Sequence, residues 1–265
     1  MTGTEIYSIL QKVRSQKPVV HHLTNWVTIY DCANVVKVFG ASPVMAHAPQ
    51  EAAEMASIAS ALVLNIGTLT VDFIESMKIA AKSANKKGIP VVLDVCGAGA
   101  TKLRDDKCFE LLNETRVDII KGNASEVARI AGESVNTKGV DSTEISKDPA
   151  EVAKFLAMER KCVVVITGKE DVVSDGSRVL RVRNGNEMMS HVVGTGCMAT
   201  SVIGTFAAVE KDLVKAAAAG LCCYEIAAEI AVTSAGGPGT FKDKMFDAIF
   251  TLGADSVEKM RKVEG

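Results

Sequence analysis

This sequence has little of what marks nucleic-acid-binding or secreted proteins. Lysine and arginine number 30 against 32 aspartate and glutamate residues, so the net charge is only −2. No basic block of five to eight residues occurs, and we expect no nucleic-acid partner. The seven cysteines lack paired spacing, which predicts reduced thiols in a cytoplasmic protein rather than a disulfide framework.

Segments typical of export, membrane insertion or zinc binding are also lacking. The start of the chain mixes acidic and basic side chains without an apolar core, so we expect no signal peptide. The most apolar stretch, residues 213–232, is interrupted by Lys215, Glu225 and Glu229, which favours a buried helix over a membrane span. No spacing of histidine, cysteine and aspartate is typical of zinc.

What the sequence does contain is an alternation of short β-branched runs with segments of helical period. The runs that predict strands are residues 18–23, 42–46, 61–67, 89–95, 118–123 and 162–168. They are nearly continuous apolar runs, as expected for strands that helices cover on both faces. Between them, residues 70–87 place their apolar side chains on one helical face, with Thr70 as a cap and Gly88 as a stop.

These patterns predict an α/β fold, with a mostly parallel, doubly wound sheet flanked by helices. After Gly168 the period changes to an alternating one around Asp175-Gly176, which predicts an antiparallel hairpin at the sheet edge. From Thr195 onward the pattern is almost entirely helical. No linker or repeat interrupts the chain, so residues 1–265 are expected to form a single domain.

Candidate binding residues follow the predicted strands, because ligands of doubly wound sheets bind outside the carboxyl ends of the strands. The residues at or just after these ends are Asn25, Met45, Gly67, Asp94, Lys121, Asn123 and Thr167. Each has an ordinary structural alternative. Asp94 could cap a helix, Met45 could pack in the core, and Asn123 with Glu126 fits a helix-capping box. Only the joint pattern is specific.

The stretch HVVGTGCMATSVIGTF is a stronger candidate. Gly194-Thr195-Gly196 ends a β-like run and precedes a predicted helix over 198–209. The first turn of a helix has unpaired N–H groups and the positive end of the dipole, and glycine lets the backbone approach an anion closely. We therefore predict a phosphate site here, with Cys197 at its tip.

Phosphoryl transfer needs positioned donors, a metal ion and cationic groups rather than covalent help from the protein. The amides of residues 194–197 are the predicted donors. Asp94 and Glu126 are the predicted acids around the metal, and Lys121 is the cation predicted to meet the nucleotide phosphates.

Several motifs together resemble the hydroxyethylthiazole kinases, which are thiamine-salvage enzymes of the ribokinase-like fold. They are ASPVMAHAPQEAAEMASIASALVLNIGTLT, PVVLDVCGAGATKLRDD, KGNASEVARIAG, VVVITGKEDVVSDG and GTGCMATS. The resemblance runs from about Asn25 to the end of the chain. It implies phosphorylation of 5-(2-hydroxyethyl)-4-methylthiazole by ATP with Mg²⁺, giving the thiazole phosphate for thiamine phosphate synthesis. It also implies a homotrimer with its sites at subunit boundaries.

The resemblance implies that Met45 and Gly194 contact the thiazole, that Lys121 and Thr167 contact ATP, and that Asp94 and Glu126 surround the metal and triphosphate. Together with the strand-end positions, the predicted substrate residues are Asn25, Met45, Gly67 and Gly194. The predicted ATP residues are Lys121, Asn123 and Thr167, the predicted metal residues are Asp94 and Glu126, and the predicted catalytic residues are Gly194, Thr195, Gly196 and Cys197. Val95 and Lys121 depart from the proline and arginine that many members have there. Lysine keeps the charge but loses bidentate geometry.

Cysteine at the tip of the glycine-rich turn separates this branch from its neighbours. Most ribokinase-like enzymes have aspartate there, whereas the thiazole kinases resemble this chain in having cysteine. The nearer alternatives, a hydroxymethylpyrimidine kinase or an ATP-dependent hydrate dehydratase of nicotinamide nucleotides, would have aspartate at position 197. A non-catalytic nucleotide sensor or thiol redox sensor is a more distant alternative, against which Asp94, Lys121 and Glu126 together argue. We expect Cys197 to act as a modest base or as an orienting group.

Overall fold

The structure, a computed structural model, describes residues 1–133 and 147–265. Within these ranges the strands, in chain order, are β1 (Val19–Leu23), β2 (Ser42–Val44), β3 (Ala61–Asn65), β4 (Val91–Asp94), β5 (Ile119–Asn123), β6 (Val163–Thr167), β7 (Asp171–Ser174), β8 (Val179–Val182) and β9 (Val263–Glu264).

These strands form one sheet in the order β2-β1-β3-β4-β5-β6-β7-β8-β9. Strands β1 to β6 pair in parallel, and β7, β8 and β9 add antiparallel pairings. The predicted mostly parallel sheet is therefore confirmed. The chain first winds from β1 to β2 and then returns to place β3 on the other side of β1, so the direction of winding reverses between β1 and β3.

Helices cover both faces of the sheet. In chain order they are α1 (Gly3–Gln16), α2 (Ile29–Val38), α3 (Pro49–Ile58), α4 (Val71–Lys87), α5 (Lys102–Glu114), α6 (Ala124–Ile130), α7 (Pro149–Arg160), α8 (Thr195–Ala207), α9 (Leu213–Val232), α10 (Pro238–Thr251) and α11 (Ala254–Met260). A short 3₁₀ helix, Glu187–His191, precedes α8.

The doubly wound arrangement follows from the alternation of side chains along the strands. In β4, Val92 packs into the core formed with α1, α2, α8, α9 and α10, whereas Val91 and Leu93 pack into the opposite core with α3 to α7. Because successive strand residues point to opposite faces, both faces of a central strand are apolar. This explains why the strand sequences are continuous apolar runs.

The predicted hairpin is confirmed. Strands β7 and β8 pair in antiparallel register, and between them Asp175 Oδ1 accepts hydrogen bonds from the amides of Ser177 and Arg178. Gly176 has a φ of +91°, which glycine adopts without strain. The two-residue strand β9 then pairs with β8 and extends the sheet beyond the hairpin. Its sequence is too short to show a period, so β9 was not predicted.

Helix starts agree with the predicted caps except near the glycine-rich turn. Thr70 accepts a hydrogen bond from the amide of Phe73 and caps α4, and Gly88 ends that helix in the left-handed conformation. Helix α8 begins at Thr195, three residues before the predicted start. No helix in the described part of the chain is long and apolar enough to cross a membrane.

Candidate active site

The glycine-rich turn lies at the carboxyl edge of the sheet, next to the reversal between β1 and β3. Asn25 follows β1, and Asn65 ends β3. The side-chain amide nitrogen of Asn25 lies 3.0 Å from Cys197 Sγ. In doubly wound folds this reversal opens the crevice that receives ligands, so the fold places Cys197 at its preferred ligand-binding position.

Helix α8 presents its amino terminus to this crevice. Gly194 is the N-cap residue, with a φ of +93°, and the first intrahelical bond runs from the Met198 amide to the Gly194 carbonyl. The amides of Thr195, Gly196 and Cys197 therefore precede the helical hydrogen-bond ladder. They are the donors that a helix start offers to an anion.

Two other contacts fix this turn. The Thr195 hydroxyl donates to the carbonyl of Met189 at 3.0 Å, and the hydroxyl of Tyr224 donates to the Thr195 carbonyl at 3.1 Å. A Cβ added at Gly194 would lie 2.5 Å from Thr28 Cγ2. The turn thus needs glycine at Gly194 both for its φ and for its contact with Thr28, whereas Gly196 lies within the helix.

The Cys197 sulfur is surrounded by hydrogen-bonding groups. It accepts from the amide nitrogens of Asn25 at 3.0 Å and Asn65 at 3.4 Å. A hydrogen bond from the thiol of Cys96 lowers the pKa of Cys197 to about 7, while burial opposes this shift. The pKa of the donating Cys96 thiol is raised. The main cause of the lowered pKa of Cys197 is therefore the hydrogen bond from Cys96.

Asp94 and Lys121 form a buried ion pair beside this cysteine. Lys121 Nζ lies 3.3 Å from Asp94 Oδ2 and donates to the Gly196 carbonyl at 3.0 Å. Burial alone would lower the pKa of Lys121, but the charges of Asp94 and Glu126 outweigh it and raise that pKa. Lys121 is therefore a positively charged side chain held next to the glycine-rich turn.

Asp94 does not cap a helix, which was its structural alternative. Its Oδ2 accepts from Thr200 Oγ1 at 2.6 Å and from Asn65 Nδ2 at 2.9 Å. Its Oδ1 is buried and has no hydrogen-bond partner among residues 1–133 and 147–265. The next helix, α5, is capped by Thr101 instead. A buried carboxylate oxygen without a donor is an expensive arrangement unless a ligand or ion completes it.

Glu126 has both a capping role and an electrostatic one. Its Oε2 accepts from the Asn123 amide at 2.7 Å, and Asn123 Oδ1 accepts from the Glu126 amide, so the predicted capping box is present. Its Oε1 accepts from the Gly97 amide at 2.7 Å. Burial and the charge of Asp94 raise the pKa of Glu126, and Lys121 opposes this shift.

The other predicted residues lie along the same edge of the sheet. Met45 follows β2, Asn123 ends β5, and Thr167 ends β6. Gly67 donates its amide to Asn65 Oδ1 at 2.8 Å, and so belongs to the network around Cys197. Hydrogen bonds thus join six predicted residues into one network that is centred on Asn65, namely Asn25, Gly67, Asp94, Lys121, Gly196 and Cys197. Met45 and Thr167 lie on opposite sides of this network.

Several polar residues of this network were not predicted from the sequence, namely Asn65, Cys96 and Thr200. Asn65 carries a signal that could have identified it, since it is the one polar residue that ends the apolar run ALVLN. Thr200 has no such signal. It lies inside α8, and only the packing of α8 against β4 brings its hydroxyl to Asp94.

The residues present fit a magnesium ion bound mainly by phosphates. No group of three or more histidine, cysteine, aspartate or glutamate side chains in residues 1–133 and 147–265 could hold a metal by itself. Asp94 Oδ1 offers an unpartnered carboxylate oxygen, the ligand type that Mg²⁺ prefers. Both oxygens of Glu126 already accept backbone amides, so Glu126 suits a charge or water-mediated role better.

Comparisons with known proteins place this chain in one family. The model of the hydroxyethylthiazole kinase family matches residues 10–255. A hydroxyethylthiazole kinase from Methanosarcina mazei is 56% identical over 255 residues, covering 96% of this chain and 98% of that protein. One from Desulfatibacillum aliphaticivorans is 51% identical, with 96% and 95% covered.

Solved structures give the same result. The structure of a hydroxyethylthiazole kinase protein from Pyrococcus horikoshii OT3 matches with a TM-score of 0.90 and 38% identity over 98% of both chains. A ribokinase-like superfamily protein from Enterococcus faecalis matches with a TM-score of 0.65 and 12% identity, covering 91% of this chain and 93% of that one. At that identity the match concerns the fold alone, and it confirms the ribokinase-like architecture.

Proposed function

Because this chain belongs to the hydroxyethylthiazole kinase family, we propose that it transfers the γ-phosphoryl group of ATP to the hydroxyl of 5-(2-hydroxyethyl)-4-methylthiazole, with Mg²⁺. Thiazole phosphorylation is the activity that the family's name states. The product, a thiazole phosphate, is the form required for thiamine phosphate synthesis. One kinase domain comprising residues 1–265 performs the reaction.

The observation that carries this proposal is the order of groups along the carboxyl edge of the sheet. Met45 lies at the β2 side, Cys197 and Asp94 lie at the centre, and Lys121 and Thr167 lie towards β5 and β6. A thiazole bound near Met45 and ATP bound near Lys121 would bring the hydroxyl and the γ-phosphate together at the start of α8. Phosphoryl transfer needs this in-line placement more than any covalent chemistry.

In the proposed reaction, the substrate oxygen forms a bond to the γ-phosphorus while the bond from that phosphorus to the β,γ-bridging oxygen breaks, releasing ADP. The hydroxyl proton passes to the Cys197 sulfur. Because the hydrogen bond from Cys96 lowers the pKa of the Cys197 thiol, more of it is ionised at neutral pH than of an ordinary cysteine. In a loose transition state the alcohol loses its proton late, so a weak base suffices.

Hydrogen-bond donors at the start of α8 would stabilise the negative charge on the transferring phosphoryl group. The amides of Thr195, Gly196 and Cys197 face the crevice at the start of α8, and Lys121 adds a positive charge through its position beside Gly196. Asp94 would hold Mg²⁺ through Oδ1 together with the phosphate oxygens. When bound, that ion would supply neutralisation of negative charge on the phosphates. Asn123 and Thr167 would contact the nucleotide from the ends of β5 and β6.

The related activities of this fold fit less well. An ATP-dependent NAD(P)H-hydrate dehydratase from Bacillus subtilis shares the fold with a TM-score of 0.59 but only 16% identity, which says nothing about activity. Membership of the thiazole kinase family sets aside the pyrimidine kinase and hydrate dehydratase alternatives. The buried Asp94–Lys121 pair beneath the helix start argues against a sensor without catalysis.

Incubation with ATP, Mg²⁺ and a panel of alcohols tests this function. We expect the thiazole alcohol to give a phosphorylated product in mass spectrometry, together with one ADP per product. Hydroxymethylpyrimidine should give a much smaller yield, because the apolar side chain of Met45 suits a thiazole ring better than a more polar pyrimidine. The absence of thiazole phosphate from an active, folded preparation would refute the proposal.

We also propose a homotrimer with its sites at the subunit boundaries. In residues 45–56, the alanines Ala46, Ala52 and Ala56 pack inside their own subunit, so they offer little surface for an interface. The supporting surface lies beside the site instead. Next to Asn25, the side chains of Trp26, Val27 and Tyr30 are 46%, 70% and 75% exposed. Such a cluster of exposed apolar side chains is typical of an interaction surface.

Light scattering together with activity measurements tests the trimer. The wild-type protein should have three times the mass of the chain. Replacement of exposed Val27 and Tyr30 by aspartate should give monomers with reduced activity and an unchanged circular dichroism spectrum. A control variant, Phe155→Asp, changes another exposed apolar residue, on α7 and away from the site, and should remain trimeric. A fully active wild-type monomer at nanomolar concentration would contradict this assembly.

The proposal also includes a cytoplasmic location, where the reducing environment keeps Cys197 as a free thiol.

A further inference from the structure

Asn65 is a buried polar residue at the centre of the site to which no role has been assigned. It ends β3 and is almost fully buried. Its carboxamide lies between Cys197, Asp94 and Asn25. These three residues include the proposed base and the proposed metal ligand, so the orientation of the Asn65 amide bears directly on the reaction.

Backbone donors fix the orientation of this amide and of its neighbour. Asn65 Oδ1 accepts from the Gly67 amide at 2.8 Å, and only the oxygen end of a carboxamide can accept. The nitrogen end must therefore face Asp94 Oδ2 at 2.9 Å and Cys197 Sγ at 3.4 Å.

The same argument holds for Asn25. Its Oδ1 accepts from the Thr28 amide at 3.1 Å. Its Nδ2 therefore points to Cys197 Sγ at 3.0 Å and to Asn65 Oδ1 at 3.1 Å. A flip of either amide would turn its NH2 group towards the backbone N–H from which its oxygen now accepts, which is costly in a buried site.

Two consequences follow for the sulfur. It receives N–H donors from both amides, so it is held as an acceptor, and donors of this kind favour a thiolate. One carboxamide nitrogen, Asn65 Nδ2, also serves Cys197 and Asp94 at the same time. The relative placement of sulfur and carboxylate is thus set by a single rigid group.

We propose that Asn65, supported by Asn25, is a positioning residue that holds the Cys197 sulfur and the Asp94 carboxylate in their reacting arrangement. The proposal rests on the proposed function. All hydrogen-bonding groups of Asn65 are used by the protein, since Oδ1 meets Gly67 and Asn25 and Nδ2 meets Asp94 and Cys197. Asn65 therefore acts through other residues and has no group left for the substrate.

A double-mutant cycle tests this role. Asn65→Ala should lower kcat about 10- to 100-fold, the usual effect of losing hydrogen bonds to charged groups, with little change in KM for either substrate. In a Cys197→Ala background the same substitution should cost much less, because the sulfur that it positions is gone. Asn65→Asp keeps the volume and the acceptor for Gly67 but removes both donors, and should lower kcat at least as much.

Thr200→Val is the matched control. It removes another hydrogen bond to Asp94 Oδ2, of 2.6 Å, without removing a donor to the sulfur. Its effect should therefore add to that of Cys197→Ala, whereas the effect of Asn65→Ala should not. If the Asn65 and Thr200 substitutions both add fully, Asn65 acts only on Asp94 and the proposal is overturned.

The rate of Cys197 alkylation by iodoacetamide, without substrates, gives a readout independent of turnover. Peptide mass spectrometry at pH 7 should find slower alkylation of Cys197 in Asn65→Ala than in the wild type. An unchanged alkylation rate would refute the proposal that Asn65 positions the sulfur through its hydrogen bond. If Cys197→Ala instead retains full kcat, the proposed base fails, while slower alkylation in Asn65→Ala would still support the positioning of the sulfur.

Discussion

Replacing Cys197 by alanine should lower kcat by about 10²- to 10⁴-fold, the usual loss on removing a general base. The reason is that the proposed acceptor for the hydroxyl proton disappears while the other groups remain. The amides at the start of α8 and the cation of Lys121 are not touched. Turnover should therefore stay measurable, and the affinity for ATP should stay close to that of the wild type.

Cys197→Asp should retain far more activity than Cys197→Ala. The two amide nitrogens that now face the sulfur can donate to a carboxylate oxygen, so the new side chain meets a prepared site. The nearby charge of Asp94 opposes this gain. An aspartate variant that is folded, binds ATP and is still much slower than the alanine variant would show that the thiol does not stand in for a carboxylate base.

The pH dependence of kcat separates a base from an orienting group. The wild-type rate should rise with pH through a midpoint near 7, because the thiol has a pKa of about 7 and only its ionised form accepts a proton. In Cys197→Asp the midpoint should fall below about 5, since aspartate ionises near 3.9. In Cys197→Ala this rise of kcat with pH should disappear. If the alanine variant shows the same rise, the group whose ionisation controls kcat is not Cys197.

Gly194→Ala should lower kcat by at least about 10²-fold, the loss typical of one misplaced anion donor. The added Cβ would lie 2.5 Å from Thr28 Cγ2. Thr28 is buried, and its hydroxyl is bonded to Asn25, so it cannot rotate away freely. The start of α8 must shift instead and take the amides of residues 195–197 with it.

Two controls isolate this effect. Gly88→Ala changes another left-handed glycine, with a φ of +80°, and its Cβ would meet no atom of the described residues within 4 Å. It should cost about 1 kcal/mol of stability and leave kcat unchanged. At Gly196 the added Cβ would meet only Lys121 Nζ, at 3.4 Å, so Gly196→Ala should be milder than Gly194→Ala. Equal losses of kcat at Gly194 and Gly88, measured with folded proteins, would assign the effect to backbone strain alone.

Much of the fold could be predicted from local patterns. The apolar runs located β1 to β6, and the Asp175-Gly176 pair located the hairpin. The capping signals at Thr70 and Asn123 were also correct. These features depend on residues that are close in sequence, and so they leave a pattern in it. The strand β9 leaves none, because two residues paired with β8 show no period.

The sequence by itself determined the parallel sheet, the carboxyl edge where ligands bind, and the presence of a helix after the glycine-rich turn. Each of these follows from side-chain period, turn chemistry or chain direction within one segment. Only the tertiary structure decided what surrounds Cys197. Asn65, Cys96 and Thr200 come from β3, from the segment after β4, and from α8, and their contacts depend on the side-chain orientations that packing imposes. Tertiary packing at the carboxyl edge of the sheet therefore decides the pKa of the Cys197 thiol and the orientation of the two asparagine amides. It also decides that one oxygen of Asp94 is left without a partner in the described part of the chain.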